Sequence, residues 1–357
     1  MSKMVRFFIM LFAVTTIAYG QAASLDEALK SLSSGAAQGY VGPIISGFGA
    51  NLNSGWIHRT PEDKKFRFDL EVGVVAMGTM FGDESKVFDV KTKFRLNKAQ
   101  AENMASSVTS IPAIKNALID SLISKDYILR IYGPTILGDS TKNVIVSMNG
   151  IEIKDQYGTP HKFDQSFVTG AKGVLNNLKA MPLAAPQLTF GTIFGTTLAV
   201  RYLPSVKISE DLGEFKYTGF GIQHNPAVWL PFALPLDFSV GYFTQKMTVG
   251  KYFEAKATTM GAYVSKKLGW GALNITPYGG FAVESSNVDV KYDFVLTGVP
   301  DTKGNPNTTI PITFNLEGEN KSRITVGASI KILLFNINAD YSIGKYKIFS
   351  GGVSVII

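Results

Sequence analysis

The sequence predicts an all-β protein: a transmembrane antiparallel β-barrel of about 12 strands, within a range of roughly 10–14. Three observations lead there: two-residue alternation of apolar and polar side chains, a secretion signal, and aromatic residues placed beside turns. In KKFRFDLEVGVVAMGTMF, Phe66, Phe68, Leu70, Val72, Val74 and Ala76 alternate with Arg67, Asp69, Glu71 and Gly73. Such a strand has one oily and one charged face. A soluble sandwich would bury the oil, whereas a membrane barrel turns it to lipid and keeps a polar lumen. The other two observations favour the barrel. Trp229, Phe232, Trp270, Tyr278, Tyr341 and Tyr346 lie close to turns, as interfacial aromatic girdles require.

The N-terminus has the form of a signal peptide. Lys3 and Arg6 precede the apolar run Phe7–Ala18, and small residues follow before position 22. Twelve apolar residues fall short of the roughly 20 that span a bilayer as a helix. The 357 residues include no cysteine, which excludes disulfides and thiolate metal sites. Only 18% are charged, 35 are glycine, and the mean hydropathy is +0.13. Without Lys3 and Arg6 the chain keeps 33 basic residues against 28 acidic ones, a net charge near +5. No basic stripe with interleaved aromatics accompanies that excess, so no nucleic-acid partner is expected.

Along the chain the expected organisation is a signal peptide (1–20), an N-terminal helical and Gly-rich plug segment (21–60), and the barrel (61–357). Strands are expected near 66–80, 85–96, 127–137, 142–153, 187–203, 212–224, 235–247, 253–268, 272–297, 309–333, 335–343 and 346–356. The two longest exceed the ~9–11 residues that cross a membrane and form a projecting hairpin tipped by GVPDTKGNPNTT. Residues 98–124 read as a small helical insertion, and 154–186 as an irregular one. Irregular backbone at membrane depth is tolerated only inside protein or a wet cavity. These segments therefore belong in the lumen or the periplasm. The turn 224–235 is expected at the bilayer surface, where its prolines end the ladder.

The phrases TTLAVRYLPSV, YTGFGIQHNPAVWLPFALPLDFSVGYF and YVGPIISGFGANLNSGW resemble an outer-membrane barrel family of Bacteroidota and related phyla that has no established activity. The resemblance covers residues 35–357 and implies a location in a Gram-negative outer membrane. The layout also resembles the long-chain fatty-acid transporters, whose barrels carry an N-terminal hatch. Residues 24–57 hold the hatch position. That group carries an Asn-Pro-Ala motif near its N-terminus, whereas Asn225-Pro226-Ala227 here stands mid-chain in a turn.

No motif for chemistry emerges. His58, His161 and His224 lack metal-ligand spacing, and no GxSxG elbow is present. GFGANLNSG fits neither a dinucleotide nor a phosphate-loop pattern. No enzyme activity, cofactor or metal is expected. A Lys or Arg facing lipid at mid-membrane costs roughly 2–4 kcal/mol. Arg67, Asp69, Glu71, Arg201, Arg323, Lys331 and Asp340 are therefore expected to line the lumen. Trp229, Phe232, Trp270 and Tyr341 are expected to anchor at the interface. The final strand, KYKIFSGGVSVII, resembles the signal read by the barrel-insertion machinery, although it ends in Ile357 rather than an aromatic residue. The expected function is a monomeric, partly plugged channel passing a small hydrophobic or amphipathic solute. The alternative is an envelope scaffold presenting external loops to a protein partner.

Overall fold

Asn336, Asn338, Asp340 and Ser342 are 2, 7, 6 and 1% exposed, whereas the intervening Phe335, Ile337 and Ile343 are 58, 55 and 52% exposed. Polar side chains are inside and apolar ones outside, the reverse of a water-soluble sheet. The computed structural model describes residues 22–357 except 155–156, 169–171, 174, 210–212, 251–252, 271 and 298–306. The expected signal peptide (1–20) lies outside the described residues, as does most of the hairpin tip GVPDTKGNPNTT.

The described elements run in this order: helix α1 (Ala22–Leu52); strands β1 (Phe66–Met80) and β2 (Val87–Arg95); helices α2 (Lys98–Val108) and α3 (Pro112–Ile123); strands β3 (Asp126–Pro134), β4 (Ile145–Lys154), β5 (Pro160–Val168), β6 (Ala180–Ile193), β7 (Thr196–Ser209), β8 (Gly213–His224), β9 (Asp237–Val249), β10 (Phe253–Ser265), β11 (Leu268–Gly269), β12 (Leu273–Thr297), β13 (Asn307–Glu317), β14 (Ser322–Ile332), β15 (Phe335–Ile343) and β16 (Lys347–Ile356). They fold as two units. One comprises residues up to Pro43 together with Asp83–Asn177; the other comprises Ile44–Gly82 and Leu178–Ile357.

The second unit is a closed ring. β1 pairs with β16, then β15, β14, β12, β10, β9, β8, β7 and β6 follow, and β6 returns to β1, every pair antiparallel. Closure leaves the ring itself without a sheet edge of the kind that invites aggregation. Ten strands form the ring, and β11 and β13 pair with β12 outside it. The chain enters β1 and leaves β16 at the same rim. β15 and β16, of 9 and 10 residues, match the length needed to cross a bilayer.

The first unit is built the ordinary way round. β2, β3, β4 and β5 form an antiparallel sheet in that order, burying Leu129, Ile131, Met148, Ile151 and Ile153 while Asp89, Lys91, Lys93 and Arg95 are exposed. The stretches 85–96, 127–137 and 142–153 are therefore strands, but not of the barrel. Period-two alternation is the same in both architectures, and only the face that is buried separates them. The helical insertion at 98–124 is present as α2 and α3. Asn97 caps α2 with a reciprocal capping box to Gln100.

Two further expectations are corrected. The single strand expected at 187–203 is a hairpin, because a two-residue turn at Phe194-Gly195 preserves parity and the alternation reads straight through it. Both turn residues have positive φ (48° and 68°), as the primed hairpin turns require, yet the first is a Phe rather than the usual Asn. The irregular stretch expected at 154–186 contains β5 and half of β6. Pro182 and Pro186 obscured the strand. They fall where β6 pairs only with β1, since the β6–β7 ladder stops at Gln187 and Arg201. Proline without an N–H is tolerated on such a one-sided stretch.

Candidate functional site: the barrel interior

Inward positions of the ring are polar, and residues 44–65 run among them from one rim to the other. At the rim where β1 ends, the Thr79 hydroxyl donates to the Gly47 carbonyl (3.1 Å) and to Asn51 Oδ1 (2.7 Å). Half-way down, Asn53 accepts from Gln245 Nε2 (2.9 Å) and donates to the Ser285 carbonyl (3.2 Å). At the opposite rim Thr60 meets Ser265 Oγ (2.6 Å). The carbonyls of Lys65 and Lys64 there accept from the N–H groups of Phe194 and Gly195. Close packing explains the glycines in this part of α1. A Cβ on Gly49 would lie 2.0 Å from Ser286 Oγ, and one on Gly47 2.8 Å from the Phe81 ring.

Two buried arginines grip this segment at its middle. Arg201, from β7, is fully buried; its Nη1 donates to the Ser54 carbonyl (2.9 Å) and its Nε to Gln187 Oε1 (2.9 Å). Its guanidinium lies 3.9 Å from the centre of the Trp56 ring, within cation–π range. Arg323, from β14, donates to the Asn53 carbonyl and to Ser54 Oγ, and pairs with Glu284 at 3.3 Å. Trp56 stacks on Phe243 (5.2 Å between centroids), and its Nε1 donates to Gln245 Oε1 (2.9 Å). Gly219 and Gly221 of β8 leave room for the indole: a Cβ on either would come within about 3.3 Å of it.

The expected lumen residues sort as follows. Glu71 is buried, standing 3.1 Å from His58 and 3.3 Å from Arg59, and it accepts from Ser354. Asp69 pairs with the same Arg59 at 3.6 Å. Asp340 accepts from the Tyr278 hydroxyl (3.1 Å). Lys331 lines an open vestibule at the rim carrying the C-terminus, with Arg59, Asp69, Lys267 and Asn336 also in its wall; its volume is about 900 Å³, open solvent included. The side chain of Arg67 lies outside the described ones. Ser354 and His58 each bind Glu71 rather than one another, so they do not make a nucleophile–base pair. Among the described residues no group of three His, Asp or Glu side chains is placed to hold a metal.

The expected anchors are on the outside. Trp229, Phe232 and Trp270 are 63, 60 and 81% exposed, all in connections at the C-terminal rim. Trp229 stacks on Phe194 at 5.8 Å with the rings nearly parallel. The connection carrying Trp229 is fixed from within, since buried Asn225 donates to the Pro61 carbonyl (2.7 Å). Tyr341 packs on Phe349 at 4.7 Å, towards the other rim. The residues that hold the central segment, Trp56, Gln187, Tyr217 and Gln245, went unremarked in the sequence. Their only signal is that each polar one falls on the inward phase of its strand.

A family model described as "Family of unknown function (DUF6588)" matches residues 1–357. No curated protein matches the chain. Among solved structures, a loop-deletion mutant of the outer membrane protein OmpT of Vibrio cholerae is 8% identical, with 81% of this chain and 99% of that one covered and a TM-score of 0.22. An anion-selective porin from Comamonas acidovorans is 9% identical (82% and 99% covered, TM-score 0.17). A mutant of the TodX monoaromatic hydrocarbon channel is 7% identical (87% and 98% covered, TM-score 0.18). All three scores are far below 0.5, so the architecture rests on the ladders themselves.

Proposed function

Because the chain belongs to the DUF6588 family, whose function is unknown, its role has to be read from its own geometry, and we propose that it is a closed barrel of a Gram-negative outer membrane. In this reading it is a monomeric envelope scaffold, whose barrel anchors the rest of the chain and whose lumen is plugged by residues 44–65. An exposed apolar band around a closed ring needs lipid to cover it. Among the described residues no helix is long and apolar enough to cross a membrane; in this reading the crossing elements are the strands of the ring.

The observation that carries the plug is the double arginine grip on the backbone of Asn53 and Ser54. Two desolvated guanidinium groups give up water for those carbonyls, and releasing the segment would leave both charges buried without them. A plug held this way does not leave by thermal fluctuation alone. Its partners are the lipid, the insertion machinery during assembly, and a protein engaging the presented surface.

The vestibule at the C-terminal rim favours a second reading, a channel for small hydrophobic or amphipathic solutes. Its wall combines Trp56, Phe243 and Ile356 with charged side chains, the mixture of apolar surface and oriented polar groups typical of ligand sites. Planar-bilayer conductance separates the two readings. The scaffold predicts silence from the full chain and discrete steps once residues 44–57 are deleted. Steady unitary steps from the full chain would sink the scaffold and favour the channel.

A further inference from the structure

The two rims of the ring differ, and the difference orients the protein. At the rim carrying the C-terminus, β6–β7 and β14–β15 turn in two residues, with Phe194, Leu333 and Leu334 49, 66 and 54% exposed, and the other two connections, 225–236 and 266–272, are of 12 and 7 residues, against 38 and 99 for the longest two at the other rim. Apolar turn residues suit a bilayer interface better than water. At the other rim the strands outrun the apolar band. Outward positions of β12 change from Phe281 and Val283 to Ser285, Asn287, Asp289 and Lys291, and the strand continues to Thr297 paired with β13. β9 and β10 end there in the exposed ion pairs Lys246–Glu254 (2.8 Å) and Lys256–Glu254 (3.0 Å). Bacterial barrels keep short turns on the periplasmic side and long connections outside the cell.

The course of the chain turns that orientation into a statement about the rest of the protein. Gly47 meets Thr79 at the long-loop rim and Thr60 meets Ser265 at the short-turn rim. The chain therefore passes down the lumen from 44 to 65 before β1 climbs back. It leaves the ring again after Gly82 and returns at Leu178, at the long-loop rim both times.

We infer that residues 83–177 form a module displayed on the outside of the cell, and that residues 22–43 also lie on the external side. The expectation from sequence put the insertions in the lumen or periplasm; on this inference the first of them, and the start of the second, lie outside. The module is water-adapted, with buried aliphatics and a charged exposed face, as a domain standing clear of the bilayer must be. The inference depends on the barrel's orientation and not on whether its lumen conducts, so either conductance result leaves it standing.

The chain has no cysteine, which makes single-cysteine labelling clean. Ser140→Cys and Ser121→Cys sit at exposed positions of the module, and Lys266→Cys at an exposed position of the short-turn rim. Intact cells are treated with a membrane-impermeant maleimide, with a periplasmic single-cysteine protein as the leak control. Correct folding of each variant is checked by the heat-dependent gel mobility of the barrel. The expected result is that both module variants label in intact cells to the level seen after permeabilisation, while Lys266→Cys labels only after it. Module variants that label only after permeabilisation, in folded protein, would overturn the inference, as would labelling of Lys266→Cys in sealed cells.

Discussion

The guanidinium of Arg201 lies over the Trp56 ring at 3.9 Å while its Nη1 holds the carbonyl of Ser54, two residues earlier. One side chain of the wall thus fixes both the backbone and the side chain of the central segment. Trp56→Ala removes the indole that contacts both Arg201 and Phe243 and leaves a cavity. Large-to-small changes of this kind cost about 3–5 kcal/mol. The expected outcome is a lower urea midpoint for barrel refolding into vesicles, with intermittent conductance where the wild type is silent. An unchanged midpoint would mean that the segment is not part of the cooperative fold.

Arg323 and Glu284 form the second contact, 6% and 0% exposed at their side chains and 3.3 Å apart. Removing one partner of a buried pair leaves the other charge uncompensated, at a cost of about 3–5 kcal/mol. Glu284→Ala should therefore destabilise more than Glu284→Ala combined with Arg323→Met adds to Arg323→Met alone. A double-mutant cycle on the same refolding equilibrium gives the coupling, and additive costs would show that the pair contributes nothing.

Gly49 and Ser286 test the packing of α1 inside the ring. A methyl group at Gly49 would stand 2.0 Å from Ser286 Oγ and 2.5 Å from its Cβ, closer than any real contact. Gly49→Ala should thus lower the refolding midpoint, by about 1–3 kcal/mol as overpacking usually does. Ser286→Gly should restore most of it. Failure of that rescue would mean that the segment packs elsewhere.

How much of this was legible follows from which signals have one physical cause and which have two. The outward faces of β1, β14, β15 and β16 could be read directly, because Arg323 or Asp340 facing lipid would be prohibitive. Whether β2 and β3 joined them could not be read. A charged face opposite an apolar one describes a lumen-lining strand and a soluble strand equally well. The run GFGANLNSG reads as a Gly-rich plug segment without a helical pattern, yet Gly47 and Gly49 belong to a helix, where they give the close approach that the ring demands. The grip of Arg201 on Ser54 joins residues 147 positions apart, and no local pattern encodes it.

In the module, Arg130 reaches Asp89 two-pronged, Nε to Oδ1 at 2.9 Å and Nη2 to Oδ2 at 2.5 Å. Those hydrogen bonds hold the Asp89 carboxyl below its ordinary value of 3.8. A depressed folded pKa contributes stability that is present above the ordinary value and lost as pH falls through the folded one. Arg130→Gln should move the Asp89 titration back up towards 3.8 and remove that acid-side loss. Carboxyl-carbon NMR of the two proteins checks it, and an unmoved midpoint would show that the pair does not persist in solution.

Placement of the apolar band in lipid makes the last prediction. On β15 the outward residues run Phe335, Ile337, Ala339, Tyr341 and Ile343, with Ala339 opposite Ala328 and Gly351 at the middle of the strand and Phe335 opposite Ile332 and Val355 beside the turn to β14. Ala339 and Phe335 are both exposed, so an arginine at either fits without a steric clash. A soluble barrel would tolerate both equally. In a bilayer the cost follows depth, about 2–4 kcal/mol at the midplane and about 0–1 near the interface. Ala339→Arg should therefore destabilise the protein in vesicles by several-fold more than Phe335→Arg, after correction for the lost Phe335 side chain using Phe335→Ala. Equal costs at the two depths would remove the membrane from the account.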